Sequence, residues 1–172
     1  MIIRTDRLLL RPLCLNDLKT VHEYACDSEN TKYMLFLPNT TERETEDFLY
    51  SVEREWQQEH PSSFEFAIVL DGVQIGAVSI SLDEITNQGE IGWILNKKYW
   101  NHGYVSEAAT AVLNFAKTQL HLHKVIAQCD WRNIASAKVM EKIGMRLIDE
   151  NGNRTYVKRE ESARELTYMI EL

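Results

Sequence analysis

Residues 90–109 contain the side chains and backbone groups of this sequence that are best suited to chemistry. Their pattern predicts a strand, a short loop with a glycine at Gly103, and the beginning of a helix. The first turn of a helix leaves backbone N–H groups unpaired and carries a partial positive charge, so it can bind an anion. We therefore expect the amides from His102 to Ser106 to hold a phosphate-bearing cofactor.

Taken alone, this loop is equally compatible with an ordinary helix cap. The sequence has no G-x-x-x-x-G-K-[ST] motif, which excludes an ATP-type P-loop, and no G-x-G-x-x-G motif, which disfavours a Rossmann dinucleotide site. A nucleotide-phosphate site of another kind stays open. His121 and His123 form an H-x-H pair, but no further ligand pair accompanies them, so we expect no metal.

Composition limits the class of partner. Of 172 residues, 19 are Lys or Arg and 26 are Asp or Glu, a formal net charge of −7, and the length predicts one domain over residues 1–172. An acidic surface repels nucleic acids, so we expect no nucleic-acid partner and favour a cationic substrate such as an amine. The three cysteines form neither a disulfide framework nor a C-x-x-C motif, which suits a reducing compartment. Lacking a signal peptide and any run of ~18 apolar residues, the protein is expected to be cytoplasmic, without a membrane partner.

The elements around residues 90–109 must position these groups. Asp71-Gly72 predicts a tight hairpin within an antiparallel meander over residues 64–96. Thr41 and Glu44 form a capping box that opens a long helix. A meander closed by a βαβ crossover favours a three-layer α+β sandwich. The predicted strands are 7–13, 64–70, 73–82, 89–96, 124–130, 145–149 and 165–172, with a turn at 151–152 and a possible strand at 155–158. The predicted helices are 16–26, 41–59, the segment from the loop that contains Gly103 to residue 120, and 133–143.

Four segments carry a resemblance to a known family. Residues 99–108 (YWNHGYVSEA) resemble the acetyl-CoA pyrophosphate loop of the GNAT N-acetyltransferases, in the Y-W-G-x-G-Y-A-T/S-E-A form of the RimJ/RimL-type branch. In matching order, TDRLLLRPL at 5–13 is similar to that branch's opening, EIGW at 90–93 to its fourth strand, and NIASAKVMEKIGM at 133–145 to its N-x-x-S-x-x-V-x-E-K-x-G-F/M segment. The chain departs from the pattern at Asn101, where glycine is common, and at Val105, where alanine or glycine is common. Asn tolerates left-handed backbone conformations better than most residues.

This resemblance implies the three-layer α/β/α GNAT fold, an α+β fold with a mixed, mostly antiparallel sheet of six to seven strands and helices on both faces. It implies an enzyme that transfers an acetyl group from acetyl-CoA to a primary amine, by direct attack of the amine on the thioester and without a metal. The RimJ/RimL-type branch favours a protein N-terminal α-amine, as on a ribosomal protein. The alternatives are a small amine acceptor (a polyamine, an aminoglycoside or an amino-acid analogue) and a non-catalytic acyl-CoA-binding regulatory module. The chain is expected to be a monomer or a homodimer.

The resemblance also implies roles for single residues. Glu90 is the expected base, acting directly or through a water, and Ser136 is the expected hydrogen-bond donor to the departing thiolate, because Met140 stands where many family members carry a tyrosine. The plain alternatives are a surface glutamate and a helix-surface serine. Asn133 is expected to bind the pantetheine arm, although it could instead cap a helix. The other expected cofactor contacts are backbone donors at Ile94, Leu95 and Asn96, and the loop residues Asn101, His102, Gly103, Tyr104, Val105 and Ser106. We expect residues 33–37, 83–88 and 151–162 to shape the acceptor pocket.

Overall fold

The structure, a computed structural model, describes residues 1–83 and 85–172 and contains an eight-stranded sheet. The strands are β1 (Ile3–Arg4), β2 (Leu9–Pro12), β3 (Ser63–Leu70), β4 (Val73–Asp83), β5 (Gln88–Leu95), β6 (Lys124–Asp130), β7 (Arg146–Thr155) and β8 (Ser162–Glu171). The helices are α1 (Leu18–Ala25), α2 (Glu42–Trp56), α3 (Tyr104–Thr118) and α4 (Ile134–Lys142), with short 3₁₀ turns at Leu15–Asp17 and Lys97–Tyr99. Within the described ranges, no helix is both long and apolar enough to cross a membrane.

Helices cover both faces of this sheet. The strand order is β1-β2-β3-β4-β5-β6-β8-β7, and β5 with β6 is the parallel pair in an otherwise antiparallel set. Phe66 and Ala67 are adjacent on β3 and therefore point to opposite faces. Phe66 packs with Phe115 of α3, whereas Ala67 lies in a second hydrophobic cluster with Leu49 of α2. The sequence-based expectation of a three-layer α/β/α sandwich with a mixed, mostly antiparallel sheet is confirmed.

The sheet has eight strands where six to seven were expected. β1 is only two residues long, too short to produce an alternating pattern in the sequence. The turn predicted at Asn151-Gly152 is wrong, because β7 continues through both residues to Thr155. Its register against β8 shifts between Asp149 and Gly152, so the irregular pairing accommodates them within the strand. The chain reverses later, within residues 156–161.

Two other local sequence signals, a helix cap and a hairpin turn, are confirmed. Thr41 caps α2 by accepting a hydrogen bond from the Glu44 amide at 3.3 Å, and the Glu44 carboxylate accepts one from the Thr41 amide at 3.0 Å. Asp71 and Gly72 have φ values of +49° and +82°, as expected for a two-residue hairpin turn that needs positive φ at both central positions.

Candidate active site

An opening in the sheet lies between β5 and β6. The two strands pair only where Gln88–Glu90 face Lys124–Ile126. Beyond Glu90, β5 continues beside β4 while β6 continues beside β8, so the two strands diverge. No strand in the described part of the chain pairs with residues 91–95 on the side facing β6. Glu90 therefore stands at the vertex of a V-shaped gap whose walls carry unpaired strand edges.

The backbone of β5 presents alternate residues to this gap. The Asn96 amide donates a 2.8 Å hydrogen bond to the Ile75 carbonyl on β4. Strand alternation then directs the backbone N–H and C=O groups of Ile94 toward β4 as well. The Ile94 carbonyl oxygen accordingly lies close to Gly76 of β4, 2.4 Å from where a Cβ on that glycine would stand. The same alternation directs the backbone N–H and C=O groups of Trp93 and Leu95 into the gap.

This geometry corrects the predicted set of backbone donors. Leu95 remains a candidate, whereas the amides of Ile94 and Asn96 face β4 and so cannot bind a ligand in the gap. The Trp93 amide, which faces the gap, is a further candidate. The sequence did not indicate it, because which residues of a strand face a given neighbour depends on the pairing register and not on side-chain type.

Glu90 lies on the sheet face that α1 and α2 share. Its antiparallel partner on β4 is Ser81, and both residues are solvent-accessible. Although solvent reaches part of Glu90, the surrounding protein limits hydration of its carboxylate. This desolvation raises the pKa of Glu90; the charge of Glu165 raises it further and that of Arg154 lowers it. A carboxylate with a raised pKa at the gap vertex is suited to accept a proton.

The loop between β5 and α3 has the backbone conformation of an anion cradle. Asn101 and Gly103 have φ values of +65° and +79°, so Asn101 adopts the left-handed conformation that its residue type tolerates. Gly103 is the N-cap of α3, and its carbonyl accepts the Glu107 amide at 3.1 Å. Amides nearer the start of α3, those of Tyr104, Val105 and Ser106, precede this first intrahelical bond and point out of the helix.

Side chains of the cradle contribute less than its amides. Ser106 is only 8% exposed, and its amide is one of the three unpaired amides at the start of α3. His102 is exposed, donates from Nδ1 to the Trp100 carbonyl at 2.7 Å, and stacks on Tyr104 with ring centroids 5.6 Å apart. Val105 packs against the hydrophobic core. The cradle is therefore built mainly from backbone.

Two cations flank the cradle that the sequence analysis did not single out. If Gly103 carried a Cβ, the Lys142 Nζ would lie 3.5 Å from it and the Arg7 guanidinium nitrogen 3.7 Å. The Arg7 guanidinium is held by Glu107 at 2.6 Å and by the His102 carbonyl at 3.1 Å. Burial alone would raise the pKa of Glu107, but hydrogen bonds from Thr5 and Arg7 outweigh it and lower that pKa. Sequence could not find these cations, because they lie about 100 and 40 residues from the cradle in the chain.

A groove of about 460 Å³ continues from the cradle along α3. Its walls come from the N-terminal segment, the outer side of α3 and the end of α4. They comprise Thr5, Asp6, Arg7, Gly103, Ser106, Glu107, Thr110, Ala111, Asn114 and Lys142. The groove thus places polar side chains next to the cradle.

The start of α4 forms the other side of the gap. Asn133 is the N-cap, and its Oδ1 accepts the Ser136 amide at 3.2 Å, so the plain helix-cap reading of Asn133 is confirmed. The cap uses Oδ1 and does not require the Nδ2 donors. Ser136 lies in the first turn and is partly accessible. Met140 is buried in the core at 1% exposure, and its thioether side chain has no proton to donate.

A buried carboxylate connects the start of α4 to the acceptor side. Asp130, the last residue of β6, has no exposed surface, and its backbone carbonyl accepts the Asn133 amide at 2.8 Å. Arg132 donates to both carboxylate oxygens at 2.7–2.9 Å, and the Tyr156 hydroxyl donates at 2.5 Å. Burial alone would raise the pKa of Asp130, but these hydrogen bonds lower it to about 2.

Two of the three segments predicted to shape the acceptor pocket are in contact. The Val157 amide donates to the Leu35 carbonyl at 3.0 Å, and Arg154 donates to the Tyr33 carbonyl at 3.2 Å. Residues 33–37 therefore pack on the tip of the β7–β8 hairpin. In the third segment, residues 83–88, Glu84 lies outside the described residues.

Metal-binding side chains do not gather in the described part of the protein. There, no group of three or more His, Cys, Asp or Glu side chains is placed to hold a metal ion. His121 and His123 are exposed and precede β6. The expectation of a metal-independent reaction stays a prediction.

Known proteins match this chain along most of its length. Residues 7–146 match the family model of the acetyltransferase (GNAT) domain. The N-acetyltransferase YnaD of Bacillus subtilis, itself uncharacterized, is 35% identical over 148 residues, which cover 84% of this chain and 82% of that protein. A GNAT-family acetyltransferase from Bacillus anthracis is 34% identical, with a TM-score of 0.83 over 99% of this chain and 98% of that one. RimL, a ribosomal L7/L12 α-N-protein acetyltransferase solved with coenzyme A, has a TM-score of 0.88 over 100% and 98% of the two chains, but at 16% identity this likeness shows the fold alone.

Proposed function

Because this chain belongs to the GNAT acetyltransferase family and is therefore an N-acetyltransferase, we propose that it acetylates the N-terminal α-amine of a protein at the gap between β5 and β6. The observation that carries the proposal is the divergence of these strands immediately after Glu90. It leaves a carboxylate at the vertex, backbone donors on one wall and the start of a helix on the other. Acetyl transfer needs a base, an oxyanion donor and a thiolate donor in that arrangement.

Glu90 accepts the proton that the amine must lose, directly or through one water. An N-terminal α-amine has a pKa of about 8, lower than that of a lysine side chain, so a larger fraction of it is already unprotonated near neutral pH. The raised pKa of Glu90 brings the pKa of the base closer to the pKa of the amine, which makes the proton transfer less unfavourable. The free amine then attacks the thioester carbonyl and forms the C–N bond. As the intermediate collapses, the C–S bond breaks, and the proton that the nitrogen loses is balanced by protonation of the CoA thiolate.

Opposite walls of the gap stabilise the two charges that develop in the transfer. The gap-facing amide of Leu95 donates to the thioester oxygen, which becomes negative as the amine attacks. Asp130 lies four residues beyond Ile126, the partner of Glu90, so β6 ends roughly 13 Å further along the opening, and α4 begins after residues 131–133. Ser136, in the first turn of that helix, donates to the departing thiolate.

The rest of acetyl-CoA is held by the cradle and the groove. The amides of residues 103–106 bind the pyrophosphate, and Lys142 and Arg7 add positive charge beside it. The groove of about 460 Å³ takes the nucleotide end. Asn133 donates from Nδ2 to the pantetheine arm while its Oδ1 caps α4.

The shape of the acceptor side favours a chain end over a small enclosed amine. Ser81 and Gly92, the neighbours of Glu90 on this face, have little side chain and are accessible to solvent. An amine at the end of an extended peptide can reach Glu90 across them while the rest of the peptide stays outside. RimL, which shares the fold, is named for acting on a protein α-amine. A small amine is the competing acceptor.

A matched pair of peptides tests the acceptor. Thiol release from acetyl-CoA is measured with a peptide that has a free N-terminus, with the same peptide blocked at its N-terminus and carrying one internal lysine, and with polyamines and amino sugars. We expect turnover with the free N-terminus and at least tenfold lower kcat/KM with the blocked peptide. Equal rates on both peptides, or faster turnover of a small amine, would overturn the peptide acceptor.

A further inference from the structure

The end of β5 is held by a side chain from the loop between α1 and α2. Asn30 accepts a hydrogen bond from the Lys97 backbone amide at 2.7 Å through Oδ1. Through Nδ2 it donates to the Leu95 carbonyl at 3.1 Å. One acceptor and one donor on the open side of the strand are what a neighbouring strand would supply. Asn30 therefore replaces the β6 backbone where β6 has diverged.

The Leu95 carbonyl receives a second hydrogen bond from the same side. The indole Nε1 of Trp100 donates to it at 2.8 Å. Because a strand residue directs its N–H and its carbonyl to the same side, this carbonyl lies beside the amide that faces the gap. Without partners, its partial negative charge would oppose negative charge developing nearby. Two N–H donors offset that charge and fix the orientation of Leu95.

The loop that supplies Asn30 is itself anchored to the same strand end. The backbone N–H of Asn30 donates to the Asp27 carboxylate at 2.9 Å. The Lys97 ammonium pairs with Asp27 at 2.7 Å and with Glu29 at 2.9 Å. Thr31, which follows Asn30, is 1% exposed. The side-chain amide of Asn30 is thus held against β5, because the residues before and after Asn30 are themselves fixed.

We propose that Asn30 is a positioning residue for acyl transfer: its side-chain amide holds the Leu95 carbonyl and thereby fixes the backbone of Leu95, so that the Leu95 N–H points at the thioester oxygen. This inference rests on the proposed function of the β5–β6 gap. It also joins the two substrate sides, because the loop that carries Asn30 continues into residues 33–37 on the acceptor side. Asn30 acts through Leu95 and does not contact the reacting atoms.

The test uses the difference between acetyl-CoA and CoA, since only acetyl-CoA carries the thioester oxygen. Calorimetry on the full chain gives the Kd of each for wild type and Asn30→Ala. We expect Asn30→Ala to bind CoA within twofold of wild type but acetyl-CoA at least fivefold more weakly, and its kcat with a working acceptor to fall about tenfold, below the loss expected for deleting an oxyanion donor itself. Trp100→Phe, at an exposed site, removes the other donor to the Leu95 carbonyl and should give the same pattern to a smaller degree.

Glu29→Gln serves as the matched control: the Glu29 carboxylate is exposed, Lys97 keeps its ion pair with Asp27, and both Asn30 bonds to the strand end stay intact. It should match wild type in both Kd values and in kcat. Equal losses for CoA and acetyl-CoA in Asn30→Ala, or a lowered melting temperature with unchanged kcat, would reduce Asn30 to a structural role and overturn the inference. A wild-type protein that binds neither compound would instead overturn the proposed function, and that result is visible before any variant is made.

Discussion

Replacing Glu65 by glutamine should stabilise this protein at neutral and alkaline pH. Glu65 lies on β3, beside Ser79 of β4, and lines a cavity of about 240 Å³ next to α2. The residue keeps some accessible surface, but protein atoms surround its carboxyl group. Burial raises the pKa of Glu65 to about 7, and a hydrogen bond from Ser79 offsets only part of that rise.

The sign and size follow from linkage between protonation and folding. In the unfolded chain Glu65 ionises near its ordinary pKa of 4.5, whereas in the folded protein it stays protonated up to about pH 7. Its contribution to stability is therefore fully present below pH 4.5 and is lost as the pH rises through 7. A pKa difference of that size corresponds to at most about 3 kcal/mol, a bound because the residue is not wholly covered. Glutamine has nearly the same shape and no charge to desolvate.

Urea denaturation between pH 4.5 and 8.5 measures this effect. The free energy of unfolding of Glu65→Gln should exceed that of wild type by a margin that grows from near zero at pH 4.5 to between about 1 and 3 kcal/mol at pH 8.5. Glu59→Gln, at an exposed site after α2, is the control and should show no such growth. A difference between Glu65→Gln and wild type that does not depend on pH would refute the reasoning.

Three further predictions follow from the site. Glu90→Gln should lower kcat by about 10²–10⁴-fold and remove the acid limb of the pH–rate profile, which in wild type lies above the usual glutamate range; an unchanged profile would exclude Glu90 as the base. Gly103→Ala should weaken CoA binding in calorimetry at least fivefold, because a φ of +79° is strained for alanine and the loop must shift to relieve it; wild-type affinity would contradict the cradle assignment. Tyr156→Phe should cost about 1–3 kcal/mol in urea denaturation, because the buried Asp130 carboxylate loses a donor; a smaller loss would mean that Arg132 alone satisfies it.

Short-range features of this protein could be predicted from the sequence because their partners lie within a few residues. The capping box of Thr41 and Glu44, the turn at Asp71-Gly72 and the left-handed conformation of Asn101 all satisfy backbone requirements that neighbouring residue types reveal. The three-layer arrangement also followed, because a meander with a crossover has few ways to bury its apolar faces. Asn151-Gly152 shows the limit of such signals, because pairing with β8 overrode a strong turn pattern.

The features that decide the chemistry of the site depended on the tertiary structure. Which amides of β5 face the gap is set by its register with β4, and this selected Trp93 and Leu95 where the sequence had suggested residues 94–96. Arg7 and Lys142 reach the cradle, and Asn30 reaches Leu95, across separations in the chain that no local pattern records. Sequence by itself determined which backbone segments could form a cradle and a strand, since those depend on local sterics and hydrogen bonding. Only the packed fold decided which groups meet there, since such contacts arise when distant elements are buried together.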